Sequence, residues 1–491
     1  MTGQRGTPDL DEHDDVFHDE CGVFGVFGHE DAGALIVLGL HALQHRGQEG
    51  SGIVTFDKGH FIAERHTGLV GDIFGGKNSG RVANLTGAYA IGHNRYSTAG
   101  GSAARNIQPM FADLTGGGIA LAHNGNLTNA RTLREKLVRD GAIFQSTSDT
   151  ETVIHLTARS SYSHIVDKLI DALKQVEGAY SLVALTSKKL IGVRDPWGVR
   201  PLVLGKLDGA YILSSETCAF DIIGAEFIRD IAPGEMVVIT KDGIESYRPF
   251  TPEPHRFCIF EQIYFARPDS NVEGRNVYEA RKRIGEELAK ESPANADMVI
   301  PVPDSGVPAA LGFANASGVP FEFGIIRNHY VGRTFIEPTD GIRHFGVRKK
   351  HNPNKAMLKG KRVVLIDDSI VRGTTSKKIV QMVRDAGAAE VHFRVASPPT
   401  TNSCFYGVDT PDKNDLLAHR MKEDEMCRFI GADSLKFISM DGLYRAMGEV
   451  KRNNDAPQFC DACFSGDYPI SLTDVDGGRK DKQLSLLAEV A

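Results

Sequence analysis

The chain has 491 residues, 41% of them hydrophobic and 24% charged, which suits a globular protein of roughly two to four domains with full cores. Its 63 acidic residues outnumber 56 basic ones for a formal charge of -7, which excludes a general nucleic-acid or membrane-surface binder, since either needs a broad basic face. No run approaches the ~20 apolar residues of a membrane span and the start lacks the charged-then-apolar order of a secretory signal, so a cytoplasmic location is expected. Seven scattered cysteines are too few for a secreted disulfide framework.

Residues 1–20, MTGQRGTPDLDEHDDVFHDE, are polar and acidic, with too little apolar surface to order themselves. At Cys21, within Asp19-Glu20-Cys21-Gly22-Val23-Phe24-Gly25, the chain turns apolar and β-like. A free cysteine opening a strand is commonly a small buried hydrophobe. Removal of the first twenty residues would instead make Cys21 the N-terminus, and an α-amine titrating near ~7.7 to 8.0 could serve as base for its thiol. The local sequence allows both readings.

From Cys21 to about Glu245, β-like stretches (52–56, 89–92, 119–122, 180–186 and 190–193) alternate with helical candidates at 32–42 and 149–158, as in an α+β or layered α/β unit. Arg248-Pro249-Phe250-Thr251-Pro252-Glu253-Pro254 cannot continue a helix or a central strand and reads as a connector. Beyond it the order is strand (298–302), strand (362–366), helix (376–386) stopped by Gly387, and strand (390–395), the pattern of a parallel, Rossmann-like α/β domain. After Ser465 the chain is polar and Gly-rich, and 480–491 forms a short helix or frays.

Val363 to Thr375, VVLIDDSIVRGTT, joins a buried strand through two carboxylates and a Ser, Gly and Thr loop to a helix. Unsatisfied N–H donors and the helix dipole favour phosphate there, while Asp367 and Asp368 suit ribose hydroxyls or magnesium. The run resembles the phosphoribosyl pyrophosphate motif of type I phosphoribosyltransferases. That resemblance implies Ser369, Val371, Arg372, Gly373, Thr374 and Thr375 around the 5'-phosphate and Asp367 and Asp368 on the ribose. Val302-Pro303-Asp304-Ser305-Gly306 resembles the pyrophosphate loop of the same family, with Asp304 on the substrate and Ser305 near the metal. The basic stretches Tyr330 to Thr334 and Arg343 to Lys350, with Arg333 and Lys349, resemble a lid over pyrophosphate.

In the first half, His93 to Thr98 offers a cation suited to a carboxylate, His123-Asn124-Gly125-Asn126 offers an amide beside a glycine N–H, and Ser148-Asp149-Thr150-Glu151 opens a helix. Singly these also suit a solvent-facing Arg, a turn and an N-cap. In this order, with Leu43-Gln44-His45-Arg46-Gly47-Gln48-Glu49 between them and Cys21, they resemble an N-terminal nucleophile (Ntn) glutamine amidotransferase domain. The resemblance implies Cys21 as nucleophile, Asn124 and the Gly125 N–H as oxyanion donors, and Arg95 and Asp149 on the α-carboxylate and α-amine of glutamine.

Together the two halves, about 21 to 465, resemble the glutamine phosphoribosylpyrophosphate amidotransferase family. The implied fold is an αββα Ntn glutaminase domain plus a Rossmann-like type I phosphoribosyltransferase domain: propeptide 1–20, glutaminase 21–250, transferase 258–465 and a tail 466–491. The implied reaction hydrolyses glutamine at Cys21 and passes ammonia internally to displace pyrophosphate from C1 of phosphoribosyl pyrophosphate. The products are 5-phosphoribosylamine, glutamate and pyrophosphate, the first step of purine synthesis. The family further implies one magnesium ion held by Ser305, Asp367 and Asp368, feedback inhibition by purine nucleotides and a homotetramer. Cys460-Asp461-Ala462-Cys463 is by its spacing open to iron–sulphur, zinc or redox chemistry. With Cys258 and Cys404 it matches the four ligands of a [4Fe–4S] cluster in the propeptide-bearing subclass. Cys218 and Cys427 read as packing residues. A salvage phosphoribosyltransferase does not need the first half, another amidotransferase lacks 364–375, and a non-catalytic sensor has no reason to keep Cys21, Asn124 and Asp149.

Overall fold

The computed structural model describes residues 21–96, 104–328 and 351–476. The leader 1–20, the expected lid residues Arg333 and Lys349, and the expected terminal helix at 480–491 lie outside them. The chain divides into two compact units: the described residues of Asp19–Ala280, Cys404–Asp409 and Arg452–Ala491 form one, and those of Arg281–Ser403 and Thr410–Lys451 the other.

This division departs from boundaries at 250 and 258, and the reason is local. Phe257–Cys258 pairs in parallel with Phe459–Cys460, Asn126 Nδ2 donates to Phe405 O at 2.9 Å, and Arg200 Nε donates to Tyr406 O at 2.8 Å. These bonds satisfy backbone carbonyls of the later segments from within the first unit.

The first unit is built on two antiparallel sheets. One has the order β11 (Glu226–Asp230), β9 (Val203–Leu207), β10 (Ala210–Ser214), β1 (Gly22–Phe27), β4 (Tyr89–Arg95), β2 (Gly50–Asp57), β3 (His60–Thr67). The other has the order β13 (Gly243–Tyr247), β12 (Met236–Thr240), β8 (Leu190–Arg194), β7 (Gly178–Thr186), β6 (Gly117–Leu127), β5 (Met110–Leu114). Val23, Val54, Ile91, Ala122, Val183 and Leu213 form the core shared by the two sheets. The helices Ala32–Ala42 and Cys218–Ile223 bury Ile36, Leu40 and Phe220 with the first sheet. Thr150–Arg159 and Ile165–Leu173 bury Val153 and Leu169 with the second. The result is the expected αββα stack. Sequence patterning follows position: β7, GAYSLVALT, is central and buried throughout, whereas β3, HFIAERHT, is an edge strand that alternates toward solvent.

The second unit carries a parallel sheet ordered Met298–Pro301, Arg362–Asp367, Glu390–Val395, Ser434–Phe437. Val363 to Ile366 are wholly buried because helices cover both faces: Val307–Ser317 contributes Ala310 and Phe313, and Thr374–Asp385 contributes Ile379 and Val383. Strand and helix lie within two residues of the positions expected from sequence. Parallel strands end together, so the loops after 301 and 367 emerge at the same carboxyl edge, where open α/β sheets bind ligands.

Candidate active sites

The start of β1 and its neighbours form a small, partly open cavity lined by Cys21, Arg95, Tyr96, Asn106, Gln108, His123, Gly125, Ser148 and Asp149. Antiparallel pairing puts Gly22 opposite Asn94, so the chain enters β1 beside the last residues of β4. Asp149 sits at the start of the helix Thr150–Arg159 and turns back to accept the Leu127 N–H at 3.0 Å. Four segments far apart in sequence thus bring the predicted Cys21, Arg95, Gly125 and Asp149 to one cavity.

Cys21 is 7% exposed, and its Sγ donates to Tyr96 O at 3.5 Å. Burial pushes the thiol up to about 11, with Arg95 working in the opposite direction. A thiol so placed is almost wholly protonated at neutral pH and needs a base. Burial also acts on Asp149, but the His123 ring, with Nδ1 3.6 Å away, and the Leu127 and Thr150 donors outweigh it and hold the carboxyl below its ordinary value. The pocket therefore offers a guanidinium and a carboxylate, the pair that a zwitterionic amino acid needs.

Asn124 adjoins the cavity in β6, wholly buried, and neither its Oδ1 nor its Nδ2 has a partner among the described residues. An unpaired buried amide costs on the order of 1 to 3 kcal/mol, a cost that a ligand can relieve. Gly125 beside it has φ +136°, and a Cβ there would stand 2.0 Å from Ala179 O, so only glycine fits.

Several residues of this site carried no signal in the sequence. Gln108 accepts the His123 N–H at 2.8 Å and donates to Thr150 Oγ1 at 3.1 Å, and Asn106 exchanges bonds with Thr147 at 2.8 and 2.9 Å. Both lie in the run Asn106-Ile107-Gln108-Pro109, with no pattern to mark them. His93 donates from Nε2 to His123 O at 3.0 Å, and burial lowers its pKa to about 3, so it is a neutral spacer. Arg46, from the Leu43 to Glu49 run, is buried between Glu216 (2.5 Å) and Glu261 (2.6 Å) and reaches Cys21 O at 3.4 Å. The Leu43 to Glu49 run thus reaches the backbone of Cys21.

In the second unit, Asp367 and Asp368 end the central strand, both buried. Asp368 N–H donates to Asp367 Oδ1 at 3.0 Å and Ser369 Oγ to Asp368 Oδ1 at 2.6 Å. Burial raises the Asp368 pKa, against hydrogen bonds from Ser305 and Ser369 and the charge of Arg281. Ser305, from the loop after 301, is thereby joined to the acid pair. Asp304 leaves this group and pairs with Arg327. Val371 and Gly373 line the turn into the helix that begins at Thr374, with Val371 O accepting the Leu417 N–H at 2.8 Å, and Thr375 follows in the first helical turn. Arg372 stands 4.0 Å from Asp415.

All seven cysteines are free thiols. Cys258 and Cys460 stand opposite each other in the parallel bridge, and Cys463 lies on the next helical turn, Ala462–Ser465. Burial, then the neighbouring thiols, raise Cys460 and Cys463 well above the ordinary range, and Cys404 acts on both. Arg200 is the cation that faces Cys258, Cys404 and Cys460. Among the described residues no three His, Cys, Asp or Glu side chains close on a single metal ion. Cys218 is buried in the core with Phe220, and Cys427 packs beside Met426.

A glutamine amidotransferase domain model matches residues 93–221 and a phosphoribosyl transferase domain model residues 272–404. An amidophosphoribosyltransferase of Rhizobium etli is 60% identical over 96% of both chains. The chain belongs to the amidophosphoribosyltransferase family. Another member, from Bacillus subtilis, is 46% identical over 93% of this chain and 95% of its own. The structure of the Bacillus subtilis glutamine phosphoribosylpyrophosphate amidotransferase complexed with ADP and GMP matches 92% of this chain and 98% of that one, with a TM-score of 0.87 and 45% identity. The reaction is therefore that of the amidophosphoribosyltransferases: glutamine, water and phosphoribosyl pyrophosphate give 5-phosphoribosylamine, glutamate and pyrophosphate in the first step of purine synthesis. No helix among the described residues is long and apolar enough to cross a membrane.

Proposed function

We propose that Cys21, freed from the leader 1–20, is the N-terminal nucleophile of the glutaminase half-reaction. The carrying observation is the placing of its buried thiol, pushed up to about 11, in one cavity with Arg95 and Asp149. The α-amine created by cleavage takes the thiol proton, sulphur attacks the glutamine side-chain amide, and Asn124 with the Gly125 N–H holds the oxyanion. Collapse of the intermediate, with the α-ammonium returning its proton to the leaving nitrogen, expels ammonia, and water then releases glutamate from the thioester. Arg95 and Asp149 hold the α-carboxylate and α-amine throughout.

In the transferase half-reaction, Asp367 and Asp368 hold the ribose hydroxyls, and Ser369, Val371, Arg372, Gly373, Thr374 and Thr375 hold the 5'-phosphate. Asp304, Ser305, Arg333 and Lys349 are assigned to the pyrophosphate. Ser305, Asp367 and Asp368 fit magnesium: they are hard oxygen donors, and the buried Asp368 gains from a cation. Magnesium, when bound, neutralises charge on the leaving pyrophosphate. Working domains of 21–250 and 258–465 with a tail from 466 are proposed, though the compact units exchange Cys404–Asp409 and the chain from Arg452.

Cys258, Cys404, Cys460 and Cys463 fit a [4Fe–4S] cluster. Their thiols act on one another and share Arg200 as counter-charge, which suits a thiolate-held group. We assign it a structural role and place the chain in the propeptide-bearing subclass. Purine nucleotides are proposed as feedback inhibitors, supported by the ADP and GMP bound to the Bacillus subtilis relative. The enzyme is further proposed to be a cytoplasmic homotetramer. A steady-state assay with glutamine, phosphoribosyl pyrophosphate and magnesium, run beside iron analysis, tests the reading. It expects glutamate release coupled to pyrophosphate release and about four irons per chain. Glutamate release that is uncoupled, or protein active without iron in the chain, sinks the corresponding half.

A further inference from the structure

We propose that the segment Cys404–Asp409, through Gly407, is a positioning element for the oxyanion site; this rests on the reading of Asn124 and Gly125 given above. Gly407 has φ +117°, and a Cβ built on it would stand 2.9 Å from Gly125 Cα and 3.1 Å from Gly125 C. The two glycines therefore meet backbone to backbone, at a separation that a side chain at 407 would not permit. Gly125 is in turn packed so closely on β7 that its own Cβ would meet Ala179 O at 2.0 Å.

The segment is anchored at successive residues. Phe405 O accepts from Asn126 Nδ2 at 2.9 Å, and Asn126 is the next residue after Gly125. Tyr406 O accepts from Arg200 Nε at 2.8 Å. Tyr406 Oη donates to Ile470 O at 2.7 Å and accepts the Ile470 N–H at 3.0 Å. Arg200 and Tyr406 are both fully buried, so the segment presents a fixed surface to the end of β6.

Oxyanion donors work because they already stand where charge develops, and a misplacement of about 1 Å costs on the order of 10²-fold in rate. A methyl at 407 must displace either the segment or Gly125. Ground-state binding of glutamine through Arg95 and Asp149 does not pass through this contact. The positioning role therefore predicts a loss in kcat and not in KM, confined to the glutamine reaction.

The test compares Gly407→Ala, Asn126→Leu and Asn124→Ala enzymes, each verified to begin at Cys21, for glutamine-dependent and ammonia-dependent synthesis. Gly407→Ala is expected to lower the glutamine kcat about 10²-fold, with the glutamine KM and the ammonia-dependent rate within about threefold of the unmodified enzyme. Asn126→Leu, which removes one anchor and inserts nothing, is expected to lower the same kcat about tenfold, and it serves if Gly407→Ala does not fold. Loss of kcat in Asn124→Ala with full kcat in the other two overturns the positioning role alone. Full kcat in Asn124→Ala overturns the oxyanion reading beneath it. Parallel loss of both activities in Gly407→Ala and Asn126→Leu marks the segment as merely structural and likewise overturns the proposal.

Discussion

The proposed glutamine pocket and the proposed phosphoribosyl site are built on opposite plans. The first collects Cys21, Arg95, Gly125 and Asp149 from β1, β4, β6 and a helix start, and closes them over a thiol that is 7% exposed. The second is one strand, one turn and one helix start, with Asp367 to Thr375 consecutive and Ser305 joining them from the neighbouring strand's loop. A site assembled through tertiary packing depends on burial and on distant backbone, so its chemistry is sensitive to what stands behind it. A site made of consecutive residues depends on strand and helix ends, whose donors any anion can use.

That contrast can be broken by substitution. Cys21→Ala removes the proposed nucleophile and is expected to abolish glutamine-dependent synthesis, by on the order of 10⁴-fold or more, while ammonia-dependent synthesis persists. Asp367→Asn and Asp368→Asn are expected to lower both activities alike, by about 10² to 10³-fold, because the loss lies in the site that both reactions use. Any sparing of ammonia-dependent synthesis in the aspartate variants contradicts the assignment. Arg95→Lys keeps the charge but loses the planar fork, and the glutamine KM is expected to rise about 10 to 100-fold with ammonia-dependent synthesis unchanged.

The pH dependence of Cys21 alkylation sharpens the same comparison. Burial raises the thiol to about 11, so in leader-bearing protein the thiolate fraction, and the alkylation rate, should keep climbing from pH 8 toward pH 11. Protein that begins at Cys21 should react at neutral pH, where its amine takes the proton. Equal profiles for the two forms count against the amine as base. The smallest effect is expected for Cys218→Ala, with both activities unchanged and stability lower by about 1 kcal/mol, read from thermal unfolding.

What could be read from sequence follows from the two plans. The strand Arg362–Asp367 and the helix after Gly373 were legible because buried strands, Gly turns and helix starts are local patterns, and they stand within two residues of expectation. The αββα layers were legible only as alternating strands and helices; the pairing of Gly22 with Asn94, which brings Cys21 to Arg95, is a property of the sheet. Gln108, Asn106 and His93 had no local signature, since their roles are to hold other residues. Arg46 was visible as a letter in a motif, but its two buried carboxylates come from positions 216 and 261, which no spacing connects to it. The same distance effect set the boundaries: Cys404 and Cys460 belong with Cys258 through a two-residue bridge and a few side-chain bonds, which a reading of composition along the chain passes over.

The central claim, that Cys21 acts as an N-terminal nucleophile, is tested most directly by intact-mass analysis and N-terminal sequencing of purified, glutamine-active enzyme. The account predicts a chain beginning at Cys21, with residues 1–20 absent from the active protein. Full glutamine-dependent activity in a chain that still begins at Met1 would contradict it.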